Sequence, residues 1–238
     1  MTNTFRYFKK VIYYICGKRI LAGPFRGMKY IENSHGSAYL PKILGSYEKE
    51  LHKFIPRIVE EEYELILDIG AAEGYYAVGL SYLYKKNVKN GFQVITYDSN
   101  LDSFSSLKKL ATLNNVINHI IIKNLCNHKI LNSLPNKKTF ILCDIEGSET
   151  YLLNPKKAPK LYNIDMLIEL HDGNNSYILN KFLKRFQESH NIEVIHFTKR
   201  KVYEAPWWLI HPKLKINAVR EGRKNGLKWL YLKTKFNF

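Results

Sequence analysis

From Tyr63 onward the chain alternates short, continuously apolar runs with longer amphipathic ones. The apolar runs fall at 64–69, 92–97, 117–122, 139–144, 165–170, 191–197 and 228–233, and their length and Ile, Leu and Val content predict strands. In the first run Leu65, Ile66, Leu67 and Ile69 are apolar without alternation, the pattern of a strand covered on both faces. Between the runs, apolar positions recur at helical spacing over 73–86, 101–114, 147–153 and 175–188. Such alternation predicts an α/β fold with a mostly parallel sheet and helices on both faces. The last run follows no helix. It is reached through a long irregular stretch, Thr198–Gly226, that contains Trp207 and Trp208.

Residues 1–55 stand before this pattern. Phe5–Ile15 mixes aromatics with lysines as an amphipathic helix would, with an apolar face that packs on the domain or docks at a lipid surface. Gly23, Pro24 and Gly27 break the next stretch, and Gly45–Ile55 predicts a further helix that Pro56 ends or kinks. The expected division is an N-terminal basic, helical extension over 1–55 and an α/β domain over 56–238, together one globular unit.

In a doubly wound sheet, ligands bind beyond the carboxyl ends of the strands. The first strand exits through Asp68, Gly70, Ala71, Ala72, Glu73, Gly74 and Tyr75, a small-residue turn that lets backbone approach a nucleotide-like ligand at a helix N-terminus. A dinucleotide site calls for GxGxxG. Here the spacing is GxAxG, and Glu73 at the helix start repels a pyrophosphate while suiting an amine or a sulfonium. That favours S-adenosylmethionine over a nicotinamide dinucleotide. Asp98, 28 residues beyond Gly70 and followed by Ser99, closes a strand where a carboxylate accepts the hydrogen bonds of a ribose diol; a turn-forming aspartate reads the same way.

Composition adds a charge asymmetry. The net charge is +16, yet residues 31–195 carry 19 basic and 19 acidic residues, so the excess sits in the two terminal segments. Residues 1–30 hold seven Lys and Arg with no acid, and residues 196–238 hold eleven against Glu204 and Glu221. Clustering of one sign points to an anionic partner (nucleic acid, a phosphorylated carrier or a membrane surface), or simply to solvated ends. Three cysteines without a CxxC spacing and no transmembrane segment lead to a cytoplasmic protein, peripheral to a membrane if the basic ends dock on one.

LILDIGAAEGYYAVGL, VITYDSN, ILCDIEGSETYLL and DMLIELHD, in that order, resemble the FkbM-type family of class I S-adenosylmethionine-dependent methyltransferases, over about residues 45–200. DIEGSE is the most specific piece. The resemblance implies a Rossmann-like, seven-stranded sheet and methyl transfer to a hydroxyl, often on a sugar or natural product. It implies Asp68, Gly70 and Ala72 at the methionine end, with Ala71 and Gly74 completing the turn, and Asp98 on the ribose beside Ser99. It places Tyr75 against the cofactor, and Asn124 and Cys126 near the adenine. From its own position at a strand exit, Asp144 is expected near the donor's amine or methyl and, with His171, at the catalytic corner. Two positions depart from the pattern: Ala72 replaces the middle glycine, and Asn124 stands where an acidic adenine partner is common.

Asp144 and Glu146, then Glu169 and His171, are i,i+2 pairs at the exits of neighbouring strands, and each pair projects to one side if extended. Asp144, Glu169 and Asp172 are an oxygen-ligand set suited to Mg²⁺ or Mn²⁺, with His171 as proton acceptor from an acceptor hydroxyl. Acids at strand ends also cap helices, and a histidine there also bonds loop carbonyls. Trp207 and Trp208 suit a sugar-binding wall or a core gap. The leading expectation is O-methylation of a small-molecule or glycan acceptor. An RNA methyltransferase using the basic ends, and a noncatalytic nucleotide- or anion-binding module, are the alternatives.

Overall fold

The structure, a computed structural model, describes residues 3–87, 91–171, 176–223 and 227–235. Strands β1 (Leu65–Ile69), β2 (Gln93–Tyr97), β3 (Ile120–Lys123), β4 (Thr139–Cys143) and β5 (Asp165–Leu170) run parallel. With β6 (His190–His196) and β7 (Lys228–Thr234) they form a seven-stranded sheet in the order β3-β2-β1-β4-β5-β7-β6, in which β7 is antiparallel to both neighbours. Helices α1 (Asn3–Ile15), α2 (Tyr39–Leu44), α3 (Phe54–Glu60), α4 (Tyr75–Lys86), α5 (Leu101–Leu113), α6 (His128–Asn132), α7 (Glu149–Leu152), α8 (Tyr177–Phe186) and α9 (Pro212–Val219) pack around it. This is the mostly parallel α/β sheet that the apolar runs predict, with the Rossmann-like, seven-stranded form that the resemblance implies.

Ile66 of β1 joins one apolar cluster, and Leu65, Leu67 and Ile69 join another on the opposite side. The first cluster takes in α2, α3, α4 and α5, together with Ile12, Tyr13, Phe25, Met28 and Tyr30 from the N-terminal segment. The second takes in Leu131, Leu152, Phe182 and Phe186 from α6, α7 and α8. Both faces of the sheet are therefore covered, which is why its strands read as unbroken apolar runs.

Several local expectations change. Gly45 does not begin a helix; it ends α2 in the left-handed region at φ 80°, where a Cβ would fall on the backbone of Ala22. Pro56 lies inside α3, as its third residue. The first turn of a helix has no intrahelical acceptor for its amides, so a proline there removes no bond. The irregular stretch after β6 contains α9, which begins on Pro212. Ile117–His119 form a 3-10 turn, so β3 starts at Ile120 rather than 117.

Candidate functional site

The order β3-β2-β1 on one side and β4-β5 on the other makes the β1/β4 boundary a topological switch point. A cavity of about 790 Å³ opens there, beyond the strand ends. Register sets what faces it: Ile69 lies level with both Tyr97 and Cys143, and Cys143 with Ile168. Asp68, Asp98, Asp144 and Glu169 therefore line one rim.

The donor-side residues come together. Gly70 sits at φ 92°, with its α-carbon so close to the strand beyond that a Cβ would fall on the Asp144 carbonyl oxygen. Gly70→Ala should cost about 3 kcal/mol or more in a denaturant titration, from strain and clash together. Ala72 is in the left-handed region at φ 46°, a conformation that disfavours alanine. Its amide donates to Asp98 Oδ2 at 2.6 Å, while Asp98 Oδ1 accepts from the Asn100 amide at 2.7 Å. The carboxylate is thus fixed, with lone pairs left over on both oxygens. Ser99, Asn124 and Cys126 line the same side, and burial pushes the Cys126 thiol up to about 12, so it is an inert wall. Tyr75 packs edge-on against Phe25, Tyr47 and Tyr76 at the cavity floor.

Asp68 is fully buried, and among the described residues neither oxygen makes a well-formed hydrogen bond. Burial raises its pKa to about 7, only partly offset by the Ala77 backbone amide. A desolvated carboxylate with no side-chain partner at a cavity floor is matched to a cationic ligand group.

The two i,i+2 pairs converge as their spacing suggests. His171 Nε2 lies 3.4 Å from Glu146, 3.6 Å from Asp144 and 3.7 Å from Glu169. Behind it, His171 Nδ1 lies 2.8 Å from Glu149 Oε1, which also accepts from the Gly147 amide at 3.0 Å and the Ile145 amide at 3.2 Å. That acceptor holds the proton on Nδ1 and leaves Nε2 free toward the cavity. The Glu149 hydrogen bond and the acids around Nε2 raise the His171 pKa, against the pull of burial. Burial raises both Asp144 and Glu169; the Asp144 charge raises Glu169 further, and Glu146 and Glu149 raise Asp144. Arg223 pairs with Glu169 Oε1.

Glu73 does not face the ligand. It is buried, with Lys42 Nζ and the Tyr30 hydroxyl each donating to Oε1 at 2.6 Å and the His35 amide donating to Oε2 at 2.9 Å. Its charge is spent on fastening the N-terminal segment, so it says nothing about the sign of the ligand. The expected metal set is altered as well. Asp172 lies outside the described residues, and Glu169 is held by Arg223, which opposes a second cation there. Among the described residues, those whose ligand atoms do approach within 4.8 Å of one another are Asp144, Glu149 and His171. Trp207 is exposed and Trp208 packs against the core edge; neither is among the described residues lining the cavity.

Three residues escaped the sequence reading: Glu149, Arg200 and Arg223. Glu149 ends the DIEGSE segment, and its signal was the acid five residues after Asp144, on the first turn of α7. Arg200 pairs with Glu50 and with Glu221, and Arg223 pairs with Glu48 and Glu169 while donating to the Tyr47 hydroxyl at 3.0 Å. Of these residues Tyr47, Glu169, Glu221 and Arg223 line the cavity wall, and Arg200 holds Glu221 there. Nothing local in the sequence announces them.

The structure is similar to a Clostridium thermocellum protein described as an rRNA methylase, with TM-score 0.53 and 12% identity over 79% of this chain and 97% of that one. It is similar to a SAM-dependent O-methyltransferase from Thermotoga maritima, with TM-score 0.50 and 14% identity over 81% and 66%. An O-methyltransferase from Bacillus cereus, in complex with SAH, matches with TM-score 0.47 and 14% identity over 76% and 80%. No family model matches the chain, and no curated protein matches it. At these identities the shared property is the fold, the Rossmann-like fold of the class I methyltransferases.

Proposed function

We propose that this chain is an S-adenosylmethionine-dependent O-methyltransferase of FkbM-like type, acting on a hydroxyl of a saccharide, glycan or other metabolite. The observation that carries the reading is the His171–Glu149 pair, aimed into a cavity whose other end is the Gly70–Gly74 turn and the fixed Asp98 carboxylate. The residues present fit the donor. Asp98 has lone pairs for a ribose diol, and the buried Asp68 carboxylate, which no side chain engages, suits an α-amino group. When bound, S-adenosylmethionine supplies an electrophilic methyl group on a sulfonium. His171 Nε2 accepts the proton of the attacking hydroxyl, and Glu149 stabilises the imidazolium that forms. Asp144 and Glu169 add negative charge beside Nε2 and keep anionic acceptor groups away from the reacting oxygen. We read the acid cluster as proton-handling rather than metal-binding, because Arg223 already holds Glu169, and Glu149 is already engaged by the His171 ring and two backbone amides.

Calorimetric titration with S-adenosylmethionine and S-adenosylhomocysteine tests the donor half. Micromolar binding should weaken about 10–100-fold in Asp98→Ala, the range for hydrogen bonds to a charged group. Transfer of labelled methyl to a panel of sugars and polyols tests the acceptor half. If neither adenosyl compound binds, the enzyme reading fails.

A further inference from the structure

The segment that leaves β6 and returns through α9 exposes an unusual set of side chains. Trp207 is 88% exposed, Ile210 84% and Tyr203 76%, and Val202 and Ile216 are exposed beside them in the sequence. Large apolar groups at this density on one segment mark an interaction surface rather than ordinary exposure. Lys199, Lys201, Lys213 and Arg220 are exposed among them and Lys215 is half-buried; no ion pair holds any of the five among the described residues. Residues 205–220 contain no acid, and the single acid just before them, Glu204, is held by Lys49 at 2.5 Å.

We propose that residues 199–220 form a docking surface for an anionic phospholipid bilayer. Trp207, Tyr203 and Ile210 enter the headgroup–acyl boundary, and the lysines meet lipid phosphates. Charge and shape both select this partner. An aromatic ring at the interface with free cations around it is the pattern of a peripheral membrane anchor. Nucleic acid would use the cations and the aromatic faces but has no use for the aliphatic side chains of Val202, Ile210 and Ile216. A second copy of the chain would bring the same positive charge against itself.

The placement gives the surface a purpose. Helix α9 packs on α2 and on the 3-10 turn at Val202–Glu204. The chain leaving α9 passes directly into Glu221, Gly222 and Arg223, and the chain entering α2 passes through His35–Ala38; both stretches line the cavity. The exposed segment thus borders the mouth, so an acceptor carried on a lipid would be presented to the site from the membrane side. The surface itself does not depend on the proposed reaction, and its test needs no turnover.

Flotation of the full chain with vesicles of phosphatidylcholine, alone or with about 30 mol% phosphatidylglycerol, measures the partition. Binding is expected to the anionic vesicles and to weaken as salt rises. With Trp229 buried in the core, brominated acyl chains should quench the emission of Trp207, and a Trp208→Phe background isolates that signal. Trp207→Ser with Ile210→Ser should lower the partition at least about tenfold. Lys213→Gln with Lys215→Gln should lower it about thirtyfold at low salt, whereas Lys108→Gln with Lys109→Gln on α5 should leave it in place. Circular dichroism checks that each variant is folded. Absence of flotation, or flotation that ignores Trp207 and Ile210, overturns the proposal. So does finding that the same residues support RNA binding or dimer formation without vesicle binding.

Discussion

Glu149→Gln should lower the rate of methyl transfer about 100-fold while leaving donor affinity in place, and His171→Ala should lower it by about 10²–10⁴-fold. The reasoning starts from the hydrogen bond at His171 Nδ1, made to a carboxylate that is itself held by two backbone amides. Glu149 is a positioning residue: it selects the tautomer and stabilises the charge that His171 acquires. A neutral glutamine keeps the shape and loses the charge, so the His171 pKa falls toward its ordinary value. The acid limb of the rate profile should therefore move to lower pH in Glu149→Gln, even as the plateau drops. NMR titration of the His171 ring reads the same shift without any acceptor. An unmoved titration would remove Glu149 from the mechanism. The linkage sign follows as well. The folded-state pKa of His171 is raised, so its contribution to stability is full below the unfolded value near 6.5 and is lost as pH rises through the folded one.

Lys42→Ala should destabilise the fold by about 3–5 kcal/mol, because it leaves the buried Glu73 carboxylate without its counter-ion. Both side chains are almost fully buried, and Tyr30 and the His35 amide converge on the same carboxylate. For a chain of this size that corresponds to a fall of about 10 °C in Tm, readable by scanning calorimetry. Lys42→Met combined with Glu73→Leu should recover much of the loss, since it removes both charges and keeps the volume. A Lys42→Ala variant as stable as the parent would mean that the pair does not hold the N-terminal segment on the domain.

The sheet was legible because its strands are buried on both faces. Leu65, Leu67 and Ile69 face one layer and Ile66 the other, which leaves an apolar run with little ambiguity. The cofactor turn was legible because glycine is forced at position 70 by the approach of the Asp144 carbonyl. What failed was charge reading. Glu73 looked like a ligand contact because it follows the turn, yet the side chain points back to Lys42, a partner 31 residues away. Arg200 and Arg223 counted toward a basic tail, yet both are buried against Glu48, Glu50, Glu169 and Glu221. Ion pairs of that kind depend on tertiary approach and leave no periodic trace. Burial pushes Glu221 up to about 7 even beside Arg200, which marks how dry this wall is.

The position of β7 governs how the sheet can be assembled. Strands β1 to β5 can find neighbours among themselves, but β6 touches the sheet only through β7, whose register pairs Ile168 with Leu230 on one edge and Val194 with Leu230 on the other. Until β7 slots between them, β5 and β6 each present an open edge of Ile, Leu and Val to any other chain in solution. Self-recognition between partly folded copies is therefore concentrated at this one gap, and whatever delays the insertion of β7 lengthens the time at risk of aggregation.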